Sequence, residues 1–458
     1  MTDEISLDHV RDTGRDRLLS ADEAIAAVLA AVQRATEPEW ISLFDAVDRV
    51  AAEDHLAKID LPPWPNSAID GYAVRSSDLA GASEDQPVRL DVVGDIAAGG
   101  DPEVEVSRGS AVRIATGARL PAGADAVVPV ELTTPAGADG LATGPRGRDA
   151  TGPVPPAILV HEAVGAGGNI RARASDLKAG SLVLQAGTEI RPATVAIAAG
   201  AGHDSVHVHR RPVIGVMATG DEIRAPGSDL GPSGIPDANG PALLAYVQAA
   251  GGDPRSLGIA RDRLDDLRAR LRAGMVEQPD AIVVSGGVSV GPFDHVRTAF
   301  DELGQIALWR VAVQPGKPFV FGTAERLGGG VPVLLFGLPG NPVSTFVTFE
   351  LFVRPAIRLL GGHTRTTRPM DRAILVDAAS KSHGRRAFLR VTADRDAQGS
   401  HVRDADGRVI VRLAGGAGGQ GSHVLSALAN ADALAVIPES VDDHPAGGAV
   451  ELMWLDRS

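Results

Sequence analysis

A glycine-rich segment follows directly on four apolar residues in the second half of the chain. The apolar run, AIVV at 281–284, is typical of a buried β-strand, and SGGVSVG follows at 285–291. Backbone N–H groups that no side chain covers can close on an anion, and a helix N-terminus after them adds positive potential. The segment therefore predicts a phosphate-binding turn at the carboxyl edge of a parallel sheet. A plain tight turn explains one such segment equally well.

Carboxylates follow the ends of predicted strands in the same region. The carboxyl ends of parallel strands meet at one edge of a sheet, so we expect these acids to converge there. A cluster of acids needs a cation, and Mg²⁺ that bridges phosphate oxygens suits this position. Capping of the next helix or loop is the competing explanation for Asp221 and Glu222. The acids are Asp221, Glu222, Asp262 and Asp294.

A lysine and a proline-rich turn offer groups for a second anion. Lys317 lies in the sequence PGKP, whose backbone is restricted, so its ammonium can bind an oxyanion as a fixed point charge. The sequence LPGNPVS at 338–344 follows a predicted strand and begins a long apolar helix. Asn341 in this turn is interpreted as a helix cap, and Asn239, further back in the chain, is interpreted in the same way.

The composition limits the classes of protein to which the chain can belong. A chain of 458 residues is too long for one core and predicts three or four domains. It contains no cysteine, which excludes disulfides, thiolate catalysis and cysteine-ligated metal sites. A net charge of −14 argues against nucleic-acid binding. With no signal-peptide core and no apolar run of transmembrane length, we expect a cytoplasmic protein without a membrane partner.

The pattern along the chain predicts a multidomain α/β plus β fold in four parts. A mixed N-terminal domain in two segments begins with a helix capped at Ser20, followed by a second helix over 43–56. A β-rich domain, a three-layer α/β/α domain and a C-terminal β-barrel-like domain follow. The predicted boundaries are 1–60 with 166–210 for the mixed domain, 61–165 for the β-rich domain, 211–362 for the α/β/α domain and 363–458 for the C-terminal domain.

Individual elements are predicted most clearly in the second half. In the α/β/α part, we expect strands at 213–217, 281–284 and 333–336, and helices at 241–250, 264–273, 295–303 and 343–360. In the C-terminal part, we expect strands at 373–376, 387–391, 409–413 and 433–437.

Seven short motifs occur in one order along nearly the whole chain. Together they resemble the molybdopterin molybdenumtransferase family, which includes MoeA in bacteria and the E domain of gephyrin. Each motif is modest, but seven in this order are highly specific. The motifs are NSAIDGYA at 66–73, IATGARLP at 114–121, TGDE at 219–222, DANGP at 237–241, the glycine-rich segment, PGKP at 315–318 and LPGNPVS at 338–344.

The resemblance implies both an architecture and a reaction. Members are elongated homodimers of four-domain subunits, and their α/β/α domain is similar to the molybdopterin adenylyltransferases. The implied active site is shared between two subunits. The implied reaction inserts molybdate into adenylylated molybdopterin with Mg²⁺ and releases AMP and the molybdenum cofactor.

The resemblance also assigns roles to individual residues. It implies catalytic roles for Asp70, Thr116, Asp176, Glu222 and Asp262, the first two contributed by the second subunit. It implies metal binding by Asp221, Glu222 and Asp294. It implies substrate binding by Ser285, Gly286, Gly287, Ser289, Gly291, Lys317, Pro339, Pro342, Ser344, Arg390 and Ser422. Among these, the residues that would meet the oxyanions are Lys317, Ser344, Arg390 and Ser422.

The sequence departs from the family pattern, and two other functions compete with the one it implies. Gln314 stands where many members have lysine, which removes one positive charge and predicts weaker oxyanion affinity. A molybdopterin adenylyltransferase, which is also a candidate partner protein, would share only the α/β/α domain. A non-catalytic scaffold, as the gephyrin E domain also is, would not need the acids and Lys317.

Overall fold

The computed structural model describes residues 18–147, 152–288 and 295–455. The first helix, α1 (Ala21–Ala30), has the predicted cap: Ser20 Oγ accepts a hydrogen bond from Glu23 N at 3.2 Å, and Glu23 Oε2 accepts one from Ser20 N at 2.8 Å. Its buried residues, including Val28, pack against the helices of the α/β/α part. Among the described residues, no helix combines the length and the apolar character that a membrane crossing requires.

Strands from the N-terminal segment pair with strands from residues 166–210. Here β1 (Pro38–Ser42) lies antiparallel to β12 (Ser205–His209), and β2 (His55–Leu56) lies antiparallel to β11 (Leu182–Leu184). A further antiparallel pair joins β3 (Asn66–Ser67) to β10 (Ile170–Arg171), and α2 (Pro192–Gly200) packs beside β11.

The predicted helix over 43–56 is wrong. Only Leu43–Asp45 forms a short 3₁₀ turn. The reason is local, because Asp48 has a φ of +64°, a left-handed conformation that a continuing α-helix does not allow. The chain then extends, and Val50 and Ala51 form bridges to the second segment.

The β-rich part forms one six-stranded sheet in the order β7-β4-β6-β5-β9-β8. Successive residues face different apolar clusters: Ala73 and Val127 belong to one, and Tyr72 and Val128 belong to the other. This two-residue period is that of a sheet covered on both faces. The strands are β4 (Gly71–Val74), β5 (Val88–Ile96), β6 (Ser110–Ile114), β7 (Ala126–Pro129), β8 (Thr133–Ala136) and β9 (Ala157–Val160).

The α/β/α part contains a six-stranded sheet in the order β16-β13-β17-β21-β20-β18. The first four strands are parallel, as predicted, whereas β20 and β18 continue the sheet antiparallel. Two short strands, β14 (Ile223–Arg224) and β15 (Ile235–Pro236), pair outside it. The strands of the sheet are β13 (Val213–Thr219), β16 (Asp253–Ala260), β17 (Ala281–Ser285), β18 (Gly304–Arg310), β20 (Pro318–Ala324) and β21 (Val333–Leu338).

Helices cover both faces of this sheet, which confirms the three-layer prediction. In β17, Ala281 and Val283 face one helical layer, and Ile282 and Val284 face the other. One layer contains α3 (Asn239–Ala249), α6 (Pro342–Thr348) and α7 (Arg354–Leu360), and a π-helical turn at Phe349–Val353 joins the last two. The opposite layer contains α4 (Leu264–Val276) and α5 (His295–Leu303).

The C-terminal part is a closed five-stranded barrel, as predicted. β24 pairs with both β25 and β26, so the order β24-β25-β22-β28-β26 returns to its start. The short β19 (Val313–Gln314) comes from the α/β/α part and joins β24 as a parallel neighbour. The precise domain boundaries stay predictions. The remaining elements are β22 (Met370–Leu375), β23 (Ala379–Ser380), β24 (Arg386–Ala393), β25 (Val409–Leu413), α8 (Leu425–Ala429), β26 (Ala433–Ile437), β27 (Asp443–His444) and β28 (Gly448–Trp454).

Candidate active site

A cavity of 620 Å³ lies at the carboxyl edge of the parallel strands. Residues at the ends of β13, β17 and β21 line it, and a segment of the C-terminal part that includes His423 and Leu425 covers one side. The position is the one that the sequence predicts, where strand ends and the turns after them converge. The predicted residues that line this cavity are Glu222, Asp262, Ser285, Gly286, Gly287, Pro339, Pro342 and Ser344.

The glycine-rich turn closes tightly on the neighbouring strand. Gly286 has a φ of +98°, and a Cβ added to it would lie 2.6 Å from the carbonyl oxygen of Thr219, so only glycine fits. Its N–H donates to Leu338 O at 3.0 Å, which joins the turns after β17 and β21. Two predicted residues of this segment, Ser289 and Gly291, lie outside the described residues.

Thr219 at the end of β13 carries an unpaired hydroxyl beneath the glycine-rich turn. The residue is buried, and its Oγ1 has no hydrogen-bond partner in the described ranges. The turn covers this oxygen, because a Cβ added to Gly286 would lie 2.8 Å from it. The sequence contained this residue only as the first letter of TGDE, with no signal for its hydroxyl.

Acidic residues gather at one part of the rim. Asp221 Oδ1 accepts a hydrogen bond from the backbone N–H of Asp262 at 3.3 Å, which fixes two neighbouring turns. Burial raises the pKa of Asp262, and the nearby carboxylates of Glu222 and Asp221 raise it further. Among the described residues, no three acidic or histidine side chains form a ready metal site. The fourth predicted acid, Asp294, lies outside those residues.

The turn after β21 is held by side chains from other elements. Asn239 Nδ2 donates to Gly340 O at 2.7 Å and to Ser285 Oγ at 2.8 Å. The interpretation of Asn239 as a helix cap is therefore wrong, because Ala238 occupies the N-cap position of α3 and the Asn239 amide points to other turns. Asn341 does occupy the N-cap position of α6, although its side chain makes no capping hydrogen bond.

Of the four residues predicted to meet oxyanions, Ser344 lines the cavity, and Lys317 and Ser422 lie on segments that contact the helix carrying it. Gly316 packs on α6, because a Cβ added to it would lie 2.7 Å from Thr348 Cγ2 and 3.7 Å from Ser344 O. This contact places the next residue, Lys317, beside that helix. Val343 N donates to Ser422 O at 3.1 Å, which brings the C-terminal segment to the start of the same helix.

Arg390 is a buried cation with spare donors. Its side chain is fully buried, and its Nη2 donates to the carbonyl oxygens of Gly419 and Gly421. Its Nε and Nη1 have no hydrogen-bond partner among the described residues. Burial lowers the pKa of Arg390 to about 10. Unpaired buried guanidinium hydrogens are an unfavourable arrangement that an oxyanion would relieve.

The Gln314 side chain connects β19 to the C-terminal part. Its Oε1 accepts a hydrogen bond from Ser382 N at 2.8 Å. The side chain therefore ties β19 to the C-terminal part through its acceptor atom. The predicted effect of Gln314 on oxyanion affinity stays a prediction.

Two further predicted residues meet each other but do not line the cavity. Asp70 Oδ1 accepts hydrogen bonds from Thr116 N at 2.7 Å and from Thr116 Oγ1 at 2.9 Å. Both lie in the β-rich part: Asp70 comes just before β4, and Thr116 comes just after β6. Asp176 is exposed in a separate turn, where its backbone N–H donates to Leu61 O at 3.0 Å.

Comparison with known proteins places these features in one family. Three family models match the chain: "MoeA N-terminal region (domain I and II)" over 19–202, "Probable molybdopterin binding domain" over 215–359 and "MoeA C-terminal region (domain IV)" over 372–455. The molybdopterin molybdenumtransferase of Bacillus subtilis is 33% identical over 438 residues, covering 95% of this chain and 94% of the relative. Molybdopterin molybdenumtransferase 2 of Mycobacterium tuberculosis is 34% identical over 434 residues, covering 93% and 98%.

A solved structure agrees with the sequence matches. The molybdopterin biosynthesis MoeA protein from Pyrococcus horikosii superimposes with a TM-score of 0.73 at 30% sequence identity. The superposition covers 96% of this chain and 99% of that one.

Proposed function

This chain belongs to the molybdopterin molybdenumtransferase family, an enzyme family of molybdenum cofactor biosynthesis, and on that premise we propose how its own residues carry the reaction. The reaction inserts molybdate into adenylylated molybdopterin with Mg²⁺ and releases AMP and the molybdenum cofactor. The observation that carries the proposal is the 620 Å³ cavity, which is lined together by the glycine-rich turn, the acids Glu222 and Asp262, and Ser344.

The turns after β17 and β21 bind the phosphates of the substrate. Residues of the glycine-rich turn line the cavity, and a turn without side chains lets backbone N–H groups approach phosphate oxygens. Ser344, which is buried and lines the same cavity, adds a second hydroxyl. Fixed donors of this kind stabilise charge that develops on phosphate oxygens during cleavage of a phosphoanhydride.

The acids at the rim hold Mg²⁺. Burial raises the pKa of Asp262, and the carboxylates of Glu222 and Asp221 add to this effect, so a divalent ion bound at the rim would favour the ionised form of these acids. Glu222 and Asp221 supply further carboxylates, and Asp294 is the fourth candidate ligand. When bound, Mg²⁺ neutralises phosphate charge and so lowers the barrier to release of AMP.

Molybdate binds between the α/β/α part and the C-terminal barrel. Lys317 and Arg390 offer positive charge, and Ser344 and Ser422 offer hydroxyl groups. The unpaired Nε and Nη1 of Arg390 support this assignment, because a tetrahedral oxyanion can accept from both. The sulfur ligands of molybdenum come from the substrate, so the absence of cysteine is no obstacle to the reaction.

The reaction site is completed by a second copy of the chain. Asp70 and Thr116 form a preorganised pair outside the cavity of their own subunit, which suits a contribution to the site of a neighbour. Leu56 and Leu182, which are cross-strand partners, are 51% and 49% exposed and offer apolar surface for the dimer contact. The role of Asp176, the cytoplasmic location and the adenylyltransferase partner stay predictions.

The activity can be tested directly with purified protein. Incubation with adenylylated molybdopterin should release AMP only when both molybdate and Mg²⁺ are present. Glu222→Gln should reduce this release at least 100-fold, whereas Glu277→Gln, a matched change at the exposed end of α4, should not. Consumption of ATP in place of AMP release would instead support an adenylyltransferase. Absence of both activities would support a scaffold.

Mixing two inactive variants tests the shared site. Suppose that Asp70 of one subunit completes the cavity that holds Glu222 of the other. A mixed dimer of Asp70→Ala and Glu222→Gln then has one intact site and one doubly altered site. Because half of the dimers are mixed at equilibrium, about a quarter of wild-type activity should return. If the site lies within one subunit, or if the chain is a monomer, every site carries one change and no activity returns.

A further inference from the structure

The Asn239 amide connects three turns that are far apart in sequence. Its nitrogen donates to Ser285 Oγ at 2.8 Å and to Gly340 O at 2.7 Å, across 46 and 101 residues of chain. A carbonyl oxygen can only accept a hydrogen bond, so the orientation of the amide is fixed by chemistry. Both amide hydrogens are therefore in use.

The network continues behind the turn after β21. Ser285 Oγ donates to Pro339 O at 3.2 Å, and Thr345 Oγ1 lies 2.5 Å from the same carbonyl and 3.1 Å from Asn341 O. Ser285 and Thr345 are both buried. The carbonyl groups of Pro339 and Gly340 are thus held by side chains, and that of Asn341 accepts from the backbone N–H of Thr345 at 2.9 Å.

Holding the carbonyl groups has a consequence for the N–H groups of the turn. The N–H groups of Gly340 and Asn341 donate to no other described residue, while the oxygens of the turn are occupied by the network. An anion needs this combination, with free N–H groups and carbonyl oxygens that are turned elsewhere. Pro339, Gly340 and Asn341 all line the cavity, so the turn is available to a ligand there.

We propose that Asn239 is a positioning residue for the phosphate groups of the substrate: its amide holds the turn at 339–341 in the conformation that presents its N–H groups. This inference rests on the proposed function. Asparagine is the side chain that suits the position, because one short group donates to two acceptors. Aspartate has the same shape, but its carboxylate would face Gly340 O at about the present 2.7 Å and repel it.

The test compares Asn239→Asp with Asn430→Asp. Asn430 is exposed, and its Nδ2 donates to Ser426 O at 2.9 Å, so this control makes the same chemical change outside the cavity. For Asn239→Asp we expect the KM for adenylylated molybdopterin and the Kd for AMP to rise about tenfold or more, because misplaced binding groups weaken every contact that depends on them. The control should stay within about twofold of wild type.

Two measurements separate positioning from general damage. Hydrogen exchange of the peptide that contains 339–341 should accelerate in Asn239→Asp, while exchange in the C-terminal barrel stays unchanged. Ser285→Ala removes only one of the two acceptors and serves as the milder variant if Asn239→Asp folds poorly. It should raise KM in the same direction.

The outcomes distinguish the two proposals. Unchanged KM, Kd and exchange in folded Asn239→Asp would overturn the inference, as would a loss of activity that matches the unfolded fraction. If the wild-type protein releases no AMP in the presence of molybdate, the proposed function fails instead. In that case, hydrogen exchange of the 339–341 turn still shows whether Asn239 holds the turn in place.

Discussion

Replacement of Asp280 by alanine tests how the α/β/α part is held together at the end remote from the cavity. The Asp280 carboxylate accepts hydrogen bonds from Arg210 at 2.6 and 2.8 Å, from Arg326 at 2.9 Å and from the backbone N–H of Val213 at 2.8 Å. The side chain is 6% exposed, so four donor groups lose a buried acceptor at once.

The expected loss of stability follows from these contacts. Removing one member of a buried ion pair costs about 3–5 kcal/mol, because the remaining charges stay buried without a partner. Arg210 is 30% exposed and can turn toward water, which favours the lower end, about 3 kcal/mol. For a domain of this size, 1 kcal/mol lowers the Tm by about 2–4 °C, so we expect a fall of about 6–12 °C.

Differential scanning calorimetry checks this value. Asp265→Ala is the control, because its partner Arg268 lies at 3.1 Å but the Asp265 side chain is 85% exposed, and its Tm should stay within about 1 °C of wild type. AMP release well below the transition should be retained in Asp280→Ala, since this residue precedes β17 and the cavity lies at the other end. A fall in Tm no larger than that of the control would refute the reasoning.

Three further predictions concern the cavity. Gly286→Ala places a methyl group 2.6 Å from Thr219 O at a φ of +98°, so AMP release should fall about 100-fold or more in a steady-state assay. Burial and the nearby Glu222 raise the pKa of Asp262, so the contribution of this residue to the free energy of unfolding should fall as pH rises above about 4. Asp262→Asn should therefore gain stability relative to wild type as pH rises through this range in denaturant titrations, while its AMP release falls. Arg390→Met removes a buried cation whose Nε and Nη1 have no partner among the described residues, and it should weaken molybdate binding about tenfold or more by calorimetry.

The sequence predicted the parts of the fold that are marked by local patterns. Strands β13, β17 and β21 are apolar runs that end in glycine or proline turns, and the turns locate the cavity. The antiparallel edge formed by β18 and β20 was not predicted, because a short apolar run carries no information about the direction in which a strand runs in its sheet. The helix predicted over 43–56 failed because a single left-handed residue, Asp48, interrupts it.

The candidate site could be predicted from motifs, but its internal connections could not. Asn239 was interpreted as a cap because capping depends only on neighbours in sequence, whereas its real partners, Ser285 and Gly340, lie in other turns. The pairing of Asp70 with Thr116 likewise spans 46 residues. Hydrogen bonds of this kind exist only after the chain has folded, so spacing alone gives no sign of them.

The short strand β19 connects the α/β/α part to the C-terminal barrel. Val313 and Gln314 hydrogen-bond to β24 of the barrel, and the chain then runs straight into the segment that carries Lys317. Lys317 lies between this pairing and β20 of the α/β/α sheet, so the lysine is located at the junction of the two parts. A displacement of the barrel relative to that sheet would have to break the β19–β24 pairing or distort the short segment that carries the lysine.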